Sequence, residues 1–387
     1  MVSRLACVAL VALACVQTAN VEASGLKKIK DIIIYKDDMF YSTFPSLVTR
    51  KDGEILCAFR RAPDRHALWG APGYTHTDPN SYLVLVRSKD GGQTWTKEPE
   101  LIFADPLGGS QDPCMVQLSD GSIVCTTYGW ALLPPEGTEK LKETPSHGAF
   151  HFLGGSVLRS DDGGKSWKGP FIPIPLPGDS SKDALGKPVP SFNRGAMAQG
   201  KDGRLYWAVA GKDQAGARVT SVHLLISSDR GETWTYSCPI AQDDAITFNE
   251  TSVIETRKGD FVAFLRTDGF DGKLAYARST DGGKSFEKWQ DGGFFGHPFY
   301  AMHLPDGRIL LVYGYRKAPF GIRVKILNAE CTDIATAPEF VLREDGGNGD
   351  IGYTWATMLP NGNVLVAYYF NIKDGTRHIA GSILEIE

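Results

Sequence analysis

A glycine turn followed by a hydrophobic strand recurs six times in this chain of 387 residues and constrains its fold more than any other feature. Asp-Gly and Asn-Gly between β-rich runs are strong hairpin signals, because both turn residues tolerate positive φ. The pattern therefore predicts six hairpins. The copies are Asp52-Gly53-Glu54-Ile55-Leu56, Asp120-Gly121-Ser122-Ile123-Val124, Asp202-Gly203-Arg204-Leu205-Tyr206, Lys258-Gly259-Asp260-Phe261-Val262, Asp306-Gly307-Arg308-Ile309-Leu310 and Asn361-Gly362-Asn363-Val364-Leu365.

A second repeat, the Asp-box, follows each of the first four hairpin turns. Its Asp and Gly favour a tight turn, and its aromatic residue packs beside that turn. One unit therefore contains four strands, and six such units predict an all-β fold, a six-bladed β-propeller of four-stranded antiparallel blades. The boxes are Ser88 to Trp95, Ser160 to Trp167, Ser228 to Trp234 and Ser279 to Phe286.

The last unit supplies only three strands, in residues 353–359, 364–370 and 378–386. An apolar β run at residues 31–35 precedes the first unit. Pairing this run with the last unit would remove an exposed sheet edge. We therefore predict that an N-terminal strand closes the last blade.

Composition and the first residues indicate the compartment and exclude some partners. A net charge of -4 argues against nucleic acid or a membrane surface as an electrostatic partner. Residues 1–23 have Arg4, an apolar stretch from Leu5 to Val16 and a Val21-Glu22-Ala23 end, which is typical of a secretory signal peptide and too short for a stable membrane span. We expect a secreted protein whose residues 24–387 form a single propeller domain.

Cysteine and metal-ligand patterns add little to this interpretation. Export would leave five cysteines, of which Cys114 and Cys125 lie on the two arms of one hairpin, so a cross-strand bridge is possible. No His, Asp or Glu cluster has metal-ligand spacing, so we expect neither a metal nor another cofactor.

Strand register predicts where the functional residues lie. The tight turns make one end of the propeller closed, whereas long segments at 62–80 and 132–150 gather at the other end, where function is expected. Together, two positions in each repeat deliver acidic, basic and tyrosine side chains to one central mouth, which is what recognition of an anionic sugar needs. Nine residues before each turn Gly stand Phe44, Asp112, Arg194, Glu250, Pro298 and Tyr353, and seven residues after it stand Arg60, Tyr128, Ala210, Arg266, Gly314 and Tyr369.

On these motifs the chain resembles the sialidase (neuraminidase) superfamily over nearly all of its length. The resemblance implies that Tyr353 is the nucleophile, that Glu250 takes its proton and that Asp78, on the long first-blade loop, is the acid. Arg266 resembles the central arginine of the family's carboxylate-binding triad. Arg316 is the better candidate for the last arginine, with Arg323 second.

The first blade departs from the family pattern, because Thr43 stands where the first triad arginine is expected. Arg60, Arg61 or Arg194 could replace that arginine from another direction. The interpretation is therefore an exo-acting, retaining glycosidase on a terminal acidic sugar, with a glycan as its partner and substrate.

Two other functions remain open. One is another carbohydrate-active propeller, either an exo-hydrolase of a different sugar or a uronate lyase that uses a tyrosine with histidines such as His76, His147 or His151. The other is a glycan-binding propeller without catalysis. The first alternative needs histidines in the mouth, whereas the second needs neither these histidines nor a contact between Tyr353 and Glu250.

Overall fold

Six antiparallel sheets form the protein in a computed structural model that describes residues 25–65, 76–138, 141, 144–147, 149–212, 217–373 and 375–387. The candidate signal peptide and Trp69 lie outside these residues. Each sheet has four strands in sequence order, apart from a short extra strand in the second and a borrowed strand in the last. The predicted six-bladed, all-β architecture is confirmed.

The first three blades contain strands β2 to β14. Blade 1 is β2 (Phe40–Thr49), β3 (Ile55–Pro63), β4 (Tyr82–Ser88) and β5 (Glu100–Phe103). Blade 2 is β6 (Gly109–Gln117), β7 (Ile123–Leu132), β9 (Phe150–Ser160) and β10 (Lys168–Phe171), with the one-turn helix α1 (Pro135–Thr138) and the short strand β8 (Ser146–His147) between β7 and β9. Blade 3 is β11 (Ala198–Gln199), β12 (Leu205–Gly211), β13 (Ser221–Ser227) and β14 (Thr235–Ala241).

The last three blades contain the remaining strands. Blade 4 is β15 (Thr247–Glu255), β16 (Phe261–Asp268), β17 (Lys273–Ser279) and β18 (Gln290–Phe295). Blade 5 is β19 (Phe299–His303), β20 (Ile309–Tyr315), β21 (Gly321–Leu327) and β22 (Glu339–Arg343). Blade 6 is β23 (Gly352–Met358), β24 (Val364–Phe370), β25 (His378–Ile386) and β1 (Leu26–Tyr35).

The N-terminal strand β1 closes blade 6 as predicted. It pairs antiparallel with β25 from Leu26 opposite Ile386 to Tyr35 opposite Ile379. The pairing covers the outer edge of β25, so its backbone hydrogen-bonding groups are not left open.

All six repeated turns have the same conformation, with the glycine at a φ between 82° and 100°. In the first, the Gly53 amide donates to the Arg50 carbonyl, and the Arg50 amide donates to the Glu54 carbonyl. Only the glycine takes positive φ, although both turn residues tolerate it. The arrangement is a type I turn followed by a left-handed glycine bulge.

The four turns of the Asp-box repeat, each with a Ser-x-Asp sequence, lie at the same end as these hairpins and share one hydrogen-bond pattern. In the first, the Ser88 hydroxyl donates to Asp90 and accepts from the Gly92 amide, while the Thr94 amide donates to Asp90. The third begins at Ser227 rather than Ser228, because the Ser227 hydroxyl makes these bonds. The aromatic residues pack into the hydrophobic clusters between blades, as expected.

All five cysteines of the described residues are buried free thiols, so the bridge considered for Cys114 and Cys125 is not formed. Cys125 is opposite Met115, one position away from Cys114. Successive side chains of a strand point to opposite faces, so the two thiols lie in different hydrophobic clusters.

Candidate functional site

Four of the innermost strands are bulged at the position that faces the central mouth. Register shifts fall between Thr43 and Ser46, between Gln111 and Cys114, between Phe248 and Thr251, and between Gly352 and Trp355. Inside these shifts lie Phe44, Asp112, Glu250 and Tyr353.

Three of the bulged residues have a left-handed backbone although they are not glycines. Their φ values are 59° at Phe44, 46° at Asp112 and 52° at Tyr353. Such residues cost about 1–3 kcal/mol each and concentrate at functional sites, where the surrounding structure holds them. The bulges turn the side chains that the register argument selected into the mouth.

Tyr353 and Glu250 form the centre of the candidate site. The Tyr353 hydroxyl donates to Glu250 Oε1 at 2.5 Å, and Arg266 Nη1 donates to Glu250 Oε2. Arg266 Nη1 also lies 3.4 Å from the Tyr353 hydroxyl. A tyrosine from blade 6 thus contacts a carboxylate and a guanidinium from blade 4, as predicted.

Burial and charge set the protonation of this pair. Burial, together with the charge of Glu250, raises the pKa of Tyr353 well above its ordinary value. Burial opposes ionisation of Glu250, but Arg266 and the hydrogen bond from Tyr353 outweigh it, so the pKa of Glu250 is lowered. The resting pair is therefore a neutral tyrosine beside an ionised glutamate that can accept its proton.

Arg316 lies beside Tyr353 on the blade 5 side of the mouth. Its guanidinium carbon is 4.9 Å from the centre of the Tyr353 ring. Its Nε donates to the Ile351 carbonyl at 2.8 Å, and its Nη2 donates to the Tyr369 hydroxyl at 2.8 Å. Arg266 and Arg316 therefore flank the tyrosine, and each electrostatically favours the ionised form of its hydroxyl.

Asp112 is a second buried carboxyl group near the pair. Its Oδ2 accepts from the Tyr128 hydroxyl at 2.8 Å, whereas its Oδ1 is buried and has no hydrogen-bond partner among the described residues. Burial raises the pKa of Asp112 to about 7, although Arg194 acts in the opposite direction. Asp112 is therefore a carboxyl group that holds a proton close to neutral pH.

The first blade gives the mouth an aromatic wall. Thr43 is fully buried opposite Arg60 in the β2–β3 register. Arg60 is buried as well, with its guanidinium carbon 5.9 Å from the Phe44 ring centre. The Phe44 ring contacts Tyr353 at 4.6 Å between centroids and the edge of His76 at 5.5 Å. An arginine is thus present in this sector, but it lies under Phe44.

Arg194 lies below the mouth, in the shaft of the propeller. Its Nη2 donates to the carbonyls of Pro45 (3.0 Å) and Tyr353 (3.3 Å), and its Nη1 donates to Cys114 Sγ at 3.1 Å. The strand that should follow it, β11, has only two residues, so Arg194 belongs to an irregular segment. It joins three bulged strands beneath the nucleophile candidate.

Two predicted residues have partners of their own away from the pair. Asp78 is fully buried, and its carboxylate accepts from Arg65 Nε at 2.8 Å and from Nη2 at 3.2 Å. Arg323 donates to the Arg343 carbonyl and packs over the Tyr315 ring at 4.5 Å. Of the two arginines considered for the last triad position, Arg316 is the one beside Tyr353.

The strand register did not predict three residues that lie at the mouth, Asp350, Arg377 and His297. Asp350 accepts from Tyr369, and also from Arg377 Nε at 2.9 Å. Burial lowers the pKa of His297 to about 4, and the charges of Arg266 and Arg316 add to this effect. These residues lie in connections between strands, outside the repeat. The only sequence signal was their closeness to predicted site residues.

The histidines considered for a lyase mechanism lie in different places. His76 lies against Phe44 at the mouth and is exposed to solvent. His147 is exposed on β8, whereas His151 is buried in β9. Trp207 and Trp355, which could otherwise have stacked on a sugar, are buried in the core.

The opposite end of the central channel holds a cavity of about 1080 Å³. Its lining includes Met115, Met197, Met302 and Tyr300 but neither Tyr353 nor Glu250. The converging charged groups therefore mark the mouth, rather than this cavity, as the candidate site. Among the described residues no set of three or more His, Cys, Asp or Glu could hold a metal ion, and no helix has the length and apolarity to cross a membrane.

Comparison with known proteins agrees with this architecture. The fold is the six-bladed propeller found in sialidases, with a polar mouth at the end opposite the short turns. A family model for the BNR repeat-like domain matches residues 141–366. The chain belongs to the BNR repeat-like family.

Several solved structures are similar to the chain. A protein of unknown function from Dyadobacter fermentans DSM 18053 is 56% identical, with a TM-score of 0.91 over 94% of this chain and 100% of that one. The K499G mutant of NanB sialidase from Streptococcus pneumoniae is 17% identical, with a TM-score of 0.62 over 92% of this chain and 70% of that one.

Trypanosoma rangeli sialidase in complex with sialic acid is 12% identical, with a TM-score of 0.59 over 94% of this chain and 59% of that one. At such low identity the sialidases show a shared fold alone. No curated protein matches the sequence.

Proposed function

We propose that the protein is a retaining, exo-acting glycoside hydrolase of sialidase type, with a terminal acidic sugar as substrate and Tyr353 as nucleophile. The observation that supports this most is the 2.5 Å hydrogen bond from the Tyr353 hydroxyl to Glu250. A tyrosine and a carboxylate from different blades meet at the mouth, and an arginine lies on the other oxygen of that carboxylate.

In the first step Tyr353 Oη attacks the anomeric carbon and transfers its proton to Glu250. The bond from the anomeric carbon to the leaving oxygen breaks, and an acid protonates that oxygen. Water then attacks the anomeric carbon of the covalent intermediate and gives a proton to the conjugate base of that acid, while the bond to Tyr353 breaks and Tyr353 Oη recovers its proton from Glu250. A neutral tyrosine suits an anionic substrate, because no charge on the nucleophile opposes its approach.

Arg266 and Arg316 would bind the acidic group of the sugar. Both guanidinium groups flank Tyr353, and Arg266 Nε has no hydrogen-bond partner among the described residues. Two arginines rather than three imply weaker binding of a carboxylate than a complete triad would give. The proposal also includes export, on the basis of residues 1–23.

Two carboxyl groups compete for the role of the acid. Asp78 is the candidate from the sequence, but both oxygens of its carboxylate accept hydrogen bonds from Arg65. Burial raises the pKa of Asp112 to about 7, so this carboxyl group can hold the proton that the acid must donate. Asp78→Asn and Asp112→Asn can be compared on an aryl glycoside, whose leaving group needs no proton, and on a natural disaccharide. Loss of the true acid should impair the disaccharide far more.

The substrate class can be tested with fluorogenic sialosides, uronides and neutral glycosides. Tyr353→Phe should abolish turnover and leave binding largely intact, whereas Arg266→Ala should weaken both. Tyr276→Phe is a matched control, because Tyr276 contacts Gln290 on the outer strands of blade 4. A fluorinated analogue of the substrate should leave an adduct on Tyr353 in peptide maps.

An adduct on another residue, or an inverted product, would overturn this mechanism. The uronate lyase remains the second candidate, since His76 and His297 lie near the mouth, and a pKa of about 4 keeps His297 neutral, so that it could act as a base. An unsaturated product would identify that reaction. Binding of glycans without any turnover would indicate the non-catalytic alternative.

A further inference from the structure

A cluster of four residues lies behind Arg316, where blades 1 and 6 meet at the mouth. We call it the Asp350 hub and define it as Asp350, Tyr41, Tyr369 and Arg377. Asp350 Oδ1 accepts from the Tyr369 hydroxyl at 2.9 Å, and Oδ2 accepts from the Tyr41 hydroxyl at 2.8 Å and from Arg377 Nε at 2.9 Å. One carboxylate thus receives three donors.

The carboxylate fixes the direction of the hydrogen bonds that lead to Arg316. Ionised Asp350 can only accept, so Tyr369 uses its single hydroxyl hydrogen on Asp350. The Tyr369 oxygen is then free to accept from Arg316 Nη2, which lies 2.8 Å away. Tyr369 is fully buried, so it acts between two protein groups.

We propose that Asp350 is a positioning residue, which through Tyr369 holds the Arg316 guanidinium in place to bind the acidic group of the substrate. The functional part of this inference rests on the proposed function. Its structural part, the dependence of Arg316 on Asp350, stands on the hydrogen bonds of the hub.

The substitution Asp350→Asn separates positioning from charge. It removes a negative charge near the mouth, so electrostatics alone would tighten the binding of an anion. The hub predicts weaker binding. If the new amide oxygen still accepts from Arg377 and Tyr41, the new NH₂ group faces the Tyr369 hydroxyl. The hydroxyl hydrogen of Tyr369 must then point toward Arg316, which is also a donor, so the hydrogen bond between them is lost.

Two tyrosine variants provide a second test and its matched control. Tyr369→Phe removes the group between Asp350 and Arg316, whereas Tyr41→Phe removes one donor to the same carboxylate without touching Arg316. We expect Asp350→Asn and Tyr369→Phe each to raise KM about tenfold with kcat within about threefold, and Tyr41→Phe to change KM less than about threefold.

The double variant Asp350→Asn/Tyr369→Phe tests whether Asp350 acts through Tyr369. It should raise KM no more than Tyr369→Phe alone, because both changes break one chain of contacts. Additive effects, an unchanged KM in Asp350→Asn or tighter binding in that variant would each overturn the inference.

A measurement without substrate tests the structural part independently. In ¹⁵N-labelled protein the Nη–H signals of Arg316, whose Nη2 donates to Tyr369, should be sharp and slow to exchange in the wild type and in Tyr41→Phe, and broadened or fast to exchange in the other two single variants. Wild type that turns over no acidic sugar would refute the proposed function but not this result. An unaltered Arg316 signal in Asp350→Asn would refute the hub.

Discussion

Replacement of Asp112 by asparagine should make the protein more stable at alkaline pH and leave its stability at acid pH almost unchanged. The pKa of Asp112 is about 7 in the folded protein, against 3.8 for an ordinary aspartate. Between these values the folded protein keeps a proton that the unfolded chain releases, so stability falls as the pH rises through this window. Above pH 7 the full cost of ionising the buried carboxyl is present.

The size of the effect follows from the difference of roughly 3 between the folded and unfolded pKa values of this carboxyl. At about 1.4 kcal/mol for each pKa unit, ionisation of Asp112 costs about 4 kcal/mol of unfolding free energy. The asparagine side chain of the variant has the same shape, can still accept from Tyr128 and carries no charge at any pH. The free energies of the two proteins should therefore be similar near pH 4, and the variant should be ahead by up to about 4 kcal/mol near pH 8.

Urea unfolding of both proteins from pH 4 to pH 8.5 measures this difference. Asp306→Asn is a control of opposite sign, because the slight desolvation of this exposed carboxyl is outweighed by its contacts with Arg308, which lower its pKa. The contribution of the Asp306 charge is lost only as the pH falls below 3.8, so within the measured range Asp306→Asn should be less stable than the wild type by a constant amount. A constant difference between wild type and Asp112→Asn across the pH range would refute the assignment of a raised pKa to Asp112.

Three more changes test the packing described above. Arg194→Met should lower the unfolding free energy by about 2 kcal/mol, because the carbonyls of Pro45 and Tyr353 lose a buried charged donor. The variant no longer has to bury a cation, which offsets part of this loss. An unchanged urea midpoint would contradict the prediction. Ile34→Ala in β1 should lower the unfolding free energy by about 2–4 kcal/mol, because Ile34 is only 4% exposed. Ile33→Ala should lower it by under about 0.5 kcal/mol, because Ile33 is 60% exposed. Equal losses would place β1 elsewhere. Reduction should leave the intact mass of residues 25–387 unchanged, because all five of their cysteines are free thiols, and a gain of two mass units would reveal a disulfide.

The repeat made the fold and the centre of the site predictable from sequence. Counting from each turn glycine places a residue along its strand, and the number of repeats places that strand in the ring. Tyr353, Glu250 and Arg266 could be brought together in this way although blades 4 and 6 are far apart in the chain. The alternation of the strands supplies the rest of the geometry.

Residues outside the repeat could not be placed by the same argument. Asp350 and Arg377 lie in connections, where no register relates one blade to the next. Arg194 has the right register but precedes a strand of only two residues, so its side chain enters the shaft instead of the mouth. The partner of Asp78, Arg65, depends on how one long loop folds, which local spacing does not specify.

Ring closure by β1 has a consequence for synthesis on the ribosome. Among the strands of the ring, β1 is translated before all the others and its partner β25 after all the others, so β1 must wait unpaired until the other five blades have been translated. The first five blades need no later segment to complete their sheets, whereas the sixth combines the earliest and the latest parts of the chain. Tyr353 belongs to that sixth blade, whose sheet is complete only after β25 has been translated.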